Sequence, residues 1–116
     1  MWTVKTISLF DVWFDEQDEA TQEKVLAGLL ALAQGGPSVG RPLVDTIKGS
    51  SFTNLKELRV QHQGEPLRAF FAFDPLRQAM VLCAGNKGGN EKRFYKEMLP
   101  IAEAEYARHL AELEMR

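Results

Sequence analysis

The middle of this 116-residue chain switches to a two-residue period of apolar side chains, which is the period of a β-strand. We predict strands at Leu55–His62 and 67–73, joined by a turn at 63–66 that contains glycine and proline. A second proline-containing turn, at 74–77, leads to a third strand at 78–85. The unbroken apolar run of that third strand indicates a central position, covered on both faces of the sheet.

The register of the hairpin decides which side chains share a face. A two- or four-residue turn pairs residues whose numbers sum to an odd value, and Arg59 and Arg68 then lie on the same face. A three-residue turn without a bulge would place these two arginines on different faces. In the odd register one face is apolar and suits a core: Leu58, Val60, Leu67, Ala69, Phe71 and Phe73. The other face, which we expect to be open, carries Glu57, Arg59, Gln61, Arg68, Phe70 and Ala72.

Arg59 and Arg68 are neighbours on that second face, and two interpretations of the pair remain open. Like charges placed opposite each other destabilise a sheet unless an anion lies between them. In the first interpretation Glu57 and Asp74 neutralise the arginines, as on many protein surfaces. In the second, the two arginines clamp a phosphate, because the guanidinium fork matches phosphate oxygens.

The N-terminal part predicts one strand and two helices. Residues 2–7 are rich in β-branched and aromatic side chains, and Ser8 begins a short amphipathic helical segment. Asp18 is placed to cap a longer helix that runs to about Gln34 and ends at a glycine–glycine–proline sequence. Residues 35–54 hold glycines, prolines and serines, and we predict a long loop there, either functional or partly mobile.

The C-terminal part predicts two consecutive helices. Asn90 is placed to cap a helix that begins at Glu91, directly after a glycine-rich loop. Pro100 is expected in the first turn of a further helix that ends near Met115, because proline is favoured at the first helical position.

Composition indicates an ordinary globular protein of one domain. Hydrophobic residues make up 45% and charged residues 26%, which excludes a disordered or collagen-like chain. Cys83 is the single cysteine and lies in an apolar run, so the expected location is the reducing cytoplasm. We expect no secretion signal and no membrane segment, since no apolar stretch reaches about 20 residues. His62, His109 and Cys83 lack metal-ligand spacing, so no metal or cofactor is expected.

Charge is distributed unevenly along the chain. The formal net charge is −2, but residues 47–95 hold eight basic side chains against four acidic ones, whereas residues 1–46 hold three against seven. A local excess of basic groups attracts phosphates. A solvated sheet edge, whose lysines discourage aggregation, also explains the excess, and charge alone favours this second explanation.

Four segments together resemble a known family. They are Asn-Leu-Lys-Glu-Leu-Arg at 54–59, Leu-Arg-Ala-Phe-Phe-Ala-Phe-Asp at 67–74, Met-Val-Leu-Cys-Ala-Gly-Asn-Lys at 80–87, and Phe-Tyr…Ile-Ala-Glu-Ala-Glu-Tyr…His-Leu within 94–110. Their order and residues resemble the phage-derived, HigB-like branch of the RelE/ParE toxin superfamily, over nearly the whole chain. The resemblance implies a single α+β domain over 1–116 with a RelE-like fold: N-terminal helices packed on a mainly antiparallel four-stranded sheet, with C-terminal helices.

The resemblance also implies a function. Relatives of this kind are toxins of type II toxin–antitoxin systems, and RelE and HigB toxins are mRNA interferases, metal-free endoribonucleases that cut mRNA on the ribosome. The implied partners are a cognate antitoxin, often a helix-turn-helix protein, and the ribosome with its mRNA. The alternatives are a ParE-like toxin that binds gyrase and a non-enzymatic, phage-derived binding protein.

The resemblance implies a set of site residues as well. The expected catalytic residues are Arg59 and Arg68 on the scissile phosphate, Lys87 as proton acceptor or charge stabiliser, and Tyr95 as a group that orients or protonates. The expected RNA-binding residues are Lys48, Lys56, Phe70, Lys92 and Arg93, with Phe70 offering a ring on which a base stacks. Two features depart from the family: Asn86 stands where many relatives have aspartate, and the histidines of some HigB toxins have no clear equivalent.

Overall fold

The computed structural model describes residues 1–115, which form one five-stranded sheet with helices on both of its faces. In chain order the elements are β1 (Thr3–Thr6), α1 (Ser8–Asp15), α2 (Glu19–Gly35), β2 (Val44–Thr46), β3 (Leu55–His62), β4 (Glu65–Phe73), β5 (Gln78–Asn86) and α3 (Glu91–Glu114). The strand order is β1-β5-β4-β3-β2, and only the β1–β5 pair is parallel within this described part. The predicted α+β class with a mainly antiparallel sheet is therefore confirmed.

The β3–β4 hairpin has the predicted register. Its turn consists of Gln63 and Gly64, with φ values of 49° and 80°, the left-handed conformation that two-residue hairpin turns require. Arg59 consequently pairs directly with Arg68. The turn is shorter than the predicted four residues, so β4 begins at Glu65.

The first face of the sheet carries the predicted core. The hairpin residues Leu58, Val60, Leu67, Ala69 and Phe71 are all buried there, against Phe10 of α1 and Val25 and Leu32 of α2. Asp18 caps α2 as predicted, because its carboxylate accepts a hydrogen bond of 2.8 Å from the backbone N–H of Thr21. The helix therefore begins where its amphipathic stripe can cover this face.

The second face is not open, which corrects the sequence-based expectation. Helix α3 crosses it and buries Leu55, Phe70 and Ala72 beneath Ala102 and Tyr106. The two-helix prediction for this region is also wrong, since α3 continues from Glu91 to Glu114 with Pro100 inside it. Packing on both sides of the proline outweighs the cost of the backbone hydrogen bond that proline removes.

The predicted loop at 35–54 contains an edge strand. Within it, β2 pairs antiparallel with β3, so that Val44 lies opposite Leu58 and Asp45 opposite Glu57. A strand of three residues is too short to show a two-residue period, which is why sequence patterning missed it.

Among residues 1–115, none of the helices combines the length and the apolar composition that a membrane crossing needs.

Candidate functional site

The centre of the candidate site is Glu57, a carboxylate that is only 3% exposed. Its Oε1 accepts a hydrogen bond of 2.5 Å from the Tyr95 hydroxyl, and its Oε2 accepts one of 2.9 Å from Arg59 Nε. Arg68 Nε lies 3.9 Å from the same Oε2. We call Glu57, Arg59, Arg68 and Tyr95 the Glu57 cluster. Three of the four predicted catalytic residues thus lie together in the structure.

Arg59 connects the cluster to the edge strand. Its Nη2 donates to Asp45 Oδ2 at 3.0 Å, and Arg41 Nη2 donates to the same oxygen at 3.0 Å. The hydrogen bond to Glu57 and its charge raise the pKa of Arg59, although burial opposes the rise. The hydrogen bond from Arg41 is the largest cause of a lowered pKa at Asp45. Charges therefore alternate from Arg41 to Glu57.

Arg68 is in a different environment, although it lies directly opposite Arg59. It is 7% exposed, and its Nη1 donates to the backbone oxygen of Leu67 at 2.9 Å. Its Nε is buried and has no hydrogen-bond partner among residues 1–115. A buried guanidinium without a close hydrogen-bonded carboxylate depends on whatever negative charge lies nearby. Here that charge belongs to Glu57.

Tyr95 reaches the cluster from the first half of α3. Its ring stacks on Phe70 with a centroid distance of 5.8 Å and an interplanar angle of 21°. Burial raises the pKa of the Tyr95 hydroxyl, and the hydrogen bond to Glu57 raises it further, so the phenol stays protonated. Phe70 is fully buried beneath Tyr95 and Phe94. Its ring therefore has no free face for a base, contrary to the expectation from sequence.

Lys87, the fourth predicted catalytic residue, lies beside the cluster rather than in it. Its Nζ donates to Glu91 Oε1 at 2.8 Å, and this hydrogen bond is the main cause of a lowered pKa at Glu91. Asn86, the position that departs from the family, accepts a hydrogen bond from the backbone N–H of Gly88 at 2.7 Å and donates one to Glu65. The Asn86 side chain thus holds the loop that carries Lys87.

A cleft of about 320 Å³ opens onto the cluster between β2, β3 and the start of α3. The ionisable side chains that line it, among residues 1–115, are Arg41, Asp45, Lys48, Glu57, Arg59, Glu91 and Tyr95. Its three cations are thus matched by three carboxylates. Sequence analysis missed Arg41, Asp45 and Glu91. Asp45 lies on the unpredicted strand β2, and Arg41, in the turn before that strand, pairs with Asp45 at the cleft.

The remaining predicted RNA-binding residues are dispersed. Lys48 is exposed and lines the cleft. Lys56 alternates onto the opposite face of β3 from Glu57, where its Nζ donates to Thr46 Oγ1 at 3.3 Å. Lys92 and Arg93 are exposed on α3 and line a separate hollow together with Lys96. Of the five predicted RNA contacts, only Lys48 therefore belongs to the cleft.

The cleft offers acid–base and anion-binding chemistry. Arg59, Arg41 and Lys48 can supply positive charge to an anion, while Tyr95 and Glu57 form a proton donor–acceptor pair. Within residues 1–115, no three side chains of the metal-ligating types converge closely enough to hold an ion. Burial raises the pKa of the Cys83 thiol to about 12, so this cysteine is not a nucleophile at neutral pH.

Solved structures define the class of the fold. The free E. coli toxin RelE, as a double arginine-to-alanine variant, matches with a TM-score of 0.59 over 93% of this chain and 96% of its own, at 8% identity. The E. coli RelBE toxin–antitoxin complex matches with a TM-score of 0.56 over 73% and 95%, at 7% identity. Identities this low show the fold alone, and that fold is RelE-like.

The family follows from sequence comparison. The chain belongs to the family described as "Phage derived protein Gp49-like", which matches residues 12–107. It is 43% identical over 114 residues to HigB2 and 43% identical over 91 residues to HigB3, two Mycobacterium tuberculosis proteins named as candidate toxins. These matches cover 97% and 78% of this chain, and 56% and 78% of the relatives. The predicted membership of the HigB-like branch is confirmed.

Proposed function

We propose that this protein is the toxin of a type II toxin–antitoxin system and acts as a metal-free, ribosome-dependent mRNA endonuclease. Its relatives of 43% identity are named as candidate toxins, and a solved structure of the same fold is a toxin bound to its antitoxin. The proposed partners are a cognate antitoxin with a helix-turn-helix domain and the ribosome with its mRNA. The proposed site of action is the cytoplasm.

One observation carries the enzymatic part of the proposal. Glu57 holds a tyrosine hydroxyl and an arginine at hydrogen-bond distance, with a second arginine behind them, at the wall of a cleft that also exposes Arg41 and Lys48. A strand of RNA needs cationic side chains for its phosphate and one donor–acceptor pair for its two proton transfers.

The cluster supports a mechanism in which the 2′-hydroxyl of RNA attacks the adjacent phosphorus. Arg59 holds the phosphate and neutralises the charge that builds on its oxygens. Glu57 accepts the proton of the 2′-hydroxyl, and Tyr95 gives its proton to the departing 5′-oxygen. The products are a 2′,3′-cyclic phosphate and a 5′-hydroxyl, and proton exchange along the Tyr95–Glu57 hydrogen bond restores both groups. Lys87, paired with Glu91, stabilises charge in this scheme and is not the base.

The test is a reconstituted translation reaction in which the reporter mRNA is mapped by primer extension. Ribosome-dependent cuts are expected with the unmodified protein, and Arg59→Ala should reduce them by about a hundredfold. Arg108→Ala is the matched control, because it also removes one arginine but from the exposed surface of α3. Equal cutting by Arg59→Ala and the unmodified protein would move the active site elsewhere.

A gyrase-binding toxin is the second candidate, and one feature of the cleft favours it. Each of its arginines already has a carboxylate partner, so the cleft presents a balanced surface to which a protein can bind. An intact message in the translation reaction, together with inhibited DNA supercoiling by gyrase, would support this candidate and contradict the endonuclease.

A further inference from the structure

The loop that joins β2 to β3 is fastened to α3 by one carboxylate oxygen. Glu103 Oε2 accepts hydrogen bonds from the Ser51 backbone N–H at 2.7 Å, from the Ser51 hydroxyl at 2.8 Å and from the Ser50 hydroxyl at 2.9 Å. The hydrogen bond from the Ser51 backbone N–H, followed by those from the two hydroxyls, lowers the pKa of Glu103, so its carboxylate is ionised at neutral pH. Hydrogen bonds to an ionised acceptor are stronger than those between neutral groups. This contact therefore fixes the loop against the helix.

Lys48 lies between this contact and a second anchor of the same loop. On its N-terminal side, Ile47 is 8% exposed and donates its backbone N–H to the oxygen of Leu55 at 3.0 Å. On its C-terminal side, Gly49 takes a φ of 86°, the left-handed conformation that glycine tolerates, and the chain turns towards α3. The backbone of Lys48 is thus held at both ends, while its side chain is exposed.

Lys48 differs from the other two cations of the cleft. Arg41 and Arg59 both form ion pairs with Asp45, each at 3.0 Å. Arg59 forms a further one with Glu57 at 2.9 Å. Among residues 1–115, Lys48 lies within ion-pair distance of no carboxylate. Its ammonium group is therefore the positive charge of the cleft that an incoming phosphate meets without displacing a carboxylate.

Glu103 acts on this cation from outside the cleft. Lys48 and Leu99 both line the cleft, and Glu103 follows Leu99 by one helical turn on the same side of α3 without lining the cleft itself. A lysine on an unfastened loop would have to lose backbone freedom when it binds a ligand, whereas a fastened loop has lost that freedom beforehand. The contact between Glu103 and the loop therefore affects how tightly the cleft holds an anion.

We propose that Glu103 is a positioning residue, which keeps Lys48 at the cleft by holding Ser50 and Ser51 against α3. The ligand of Lys48 is a phosphate group of single-stranded RNA, a choice that rests on the proposed function. Glu103 itself makes no contact with the RNA. Its removal should therefore have the same consequence for RNA binding as removal of the Lys48 ammonium group.

Hydrogen exchange at the Ser51 amide tests the contact independently of RNA. Glu103→Ala should speed this exchange by about tenfold or more, because the N–H loses its acceptor. Glu103→Gln should restore most of the protection, since its amide oxygen can accept the same hydrogen bond. Glu105→Ala is the matched control, because it removes a carboxylate of the same helix that pairs with Arg108 instead. Thermal melting confirms that each variant is folded. Equal exchange in Glu103→Ala and the unmodified protein would overturn the proposal.

Fluorescence anisotropy with a single-stranded RNA of about eight nucleotides tests the consequence for binding. Lys48→Ala and Glu103→Ala should each weaken RNA binding by about tenfold. The double variant should also lose about tenfold rather than about a hundredfold, because both substitutions remove the same interaction. Glu105→Ala should bind RNA as tightly as the unmodified protein. Losses that multiply in the double variant, or an unmodified protein that does not bind this RNA, would overturn the positioning role.

Cleavage of mRNA on the ribosome separates this inference from the proposed function. Glu103→Ala should raise the KM for mRNA-programmed ribosomes by about tenfold and leave kcat within about twofold, since Lys48 contributes to binding and the catalytic groups stay in place. RNA binding with the expected losses but without cleavage would reject the endonuclease and support the positioning role. Cleavage with an unchanged KM in Glu103→Ala would reject the positioning role and support the endonuclease.

Discussion

Two buried carboxylates, one at each half of α3, invite comparison. Glu57 on β3 accepts a hydrogen bond of 2.5 Å from Tyr95, and Asp74, directly after β4, accepts one of 2.7 Å from His109 Nε2. Glu57 is 3% exposed and Asp74 is 6% exposed. In each case a ring-bearing side chain of the same helix fastens that helix to the sheet.

Their other partners differ. Asp74 also accepts hydrogen bonds from the backbone N–H groups of Leu76 and Gln78 and from the Gln78 side chain, each at 2.9 Å. Burial alone would raise the pKa of Asp74, but these hydrogen bonds, with that of His109 the strongest, lower it overall. Glu57 instead lies between two arginines at a cleft. The Asp74 set closes a turn, whereas the Glu57 set concentrates charge at a surface that a ligand can reach.

The largest expected effect in this comparison is that of Glu57→Ala. The substitution leaves the buried guanidinium of Arg68 without its nearest negative charge, and we expect a loss of about 3–5 kcal/mol in the free energy of unfolding. Urea denaturation measures it. Glu57→Gln preserves the shape and removes the charge, so it should lose nearly as much stability if the charge of Glu57 is what Arg68 depends on. A loss below about 1 kcal/mol for Glu57→Ala would show that Arg68 does not depend on Glu57.

Asp74→Ala is expected to cost less, about 2–3 kcal/mol, because it leaves several buried hydrogen-bond donors unpaired but no buried arginine. The same urea denaturation measures the loss. Cleavage of mRNA per folded molecule should stay unchanged, in contrast to Glu57→Ala. A loss of cleavage per folded molecule in the Asp74→Ala variant would contradict the claim that only Glu57, of these two carboxylates, is needed for cleavage.

The hydroxyls of two tyrosines of α3 provide a further comparison between the Glu57 cluster and a purely structural contact. Tyr95→Phe and Tyr106→Phe should each cost about 1 kcal/mol of stability, since each removes a partly buried hydrogen bond. Only Tyr95→Phe should reduce mRNA cleavage, by about a hundredfold or more, as expected for loss of a general acid. Primer extension measures the rate of mRNA cleavage by both variants. Equal cleavage rates for Tyr95→Phe and Tyr106→Phe would show that the Tyr95 hydroxyl takes no part in the mechanism.

The smallest expected effect is a pH dependence of stability, which is absent near neutral pH and appears only in strong acid and strong base. Because the pKa of Asp74 is lowered from 3.8 on folding, its stabilisation is present above that value and is lost as the pH falls below it. Because the pKa of Tyr95 is raised from 10.0, its stabilisation is present below that value and is lost as the pH rises above it.

Unfolding free energies measured across these pH ranges test both halves of that prediction. The Asp74→Asn variant should lose stability less steeply than the unmodified protein below about pH 4, and Tyr95→Phe less steeply above about pH 10. If the unfolding free energy of a variant changes with pH as steeply as that of the unmodified protein in the range tested, the residue that was replaced does not cause the pH dependence there.

Local features were predictable because their causes lie within a few residues. The hairpin register follows from a two-residue period and a tight turn around Gly64, and it brings Arg59 opposite Arg68. The caps of α2 and α3 follow from Asp18 and Asn90, whose side chains accept hydrogen bonds from backbone N–H groups three residues further on. The sequence by itself therefore determined the β3–β4 hairpin and its arginine pair, and the starts of α2 and α3.

Only the tertiary structure decided what surrounds that pair. Tyr95 meets Glu57 across 38 residues of chain, and Arg59 meets Asp45 through a three-residue strand with no pattern of its own. Both contacts depend on how α3 and β2 pack on the sheet. Packing of this kind is set by the whole core, which no local window of sequence contains. The physical reason is that the local sequence sets which charged residue stands at a given position of a strand. Segments distant in the chain set how deeply that residue is buried and which residue it pairs with.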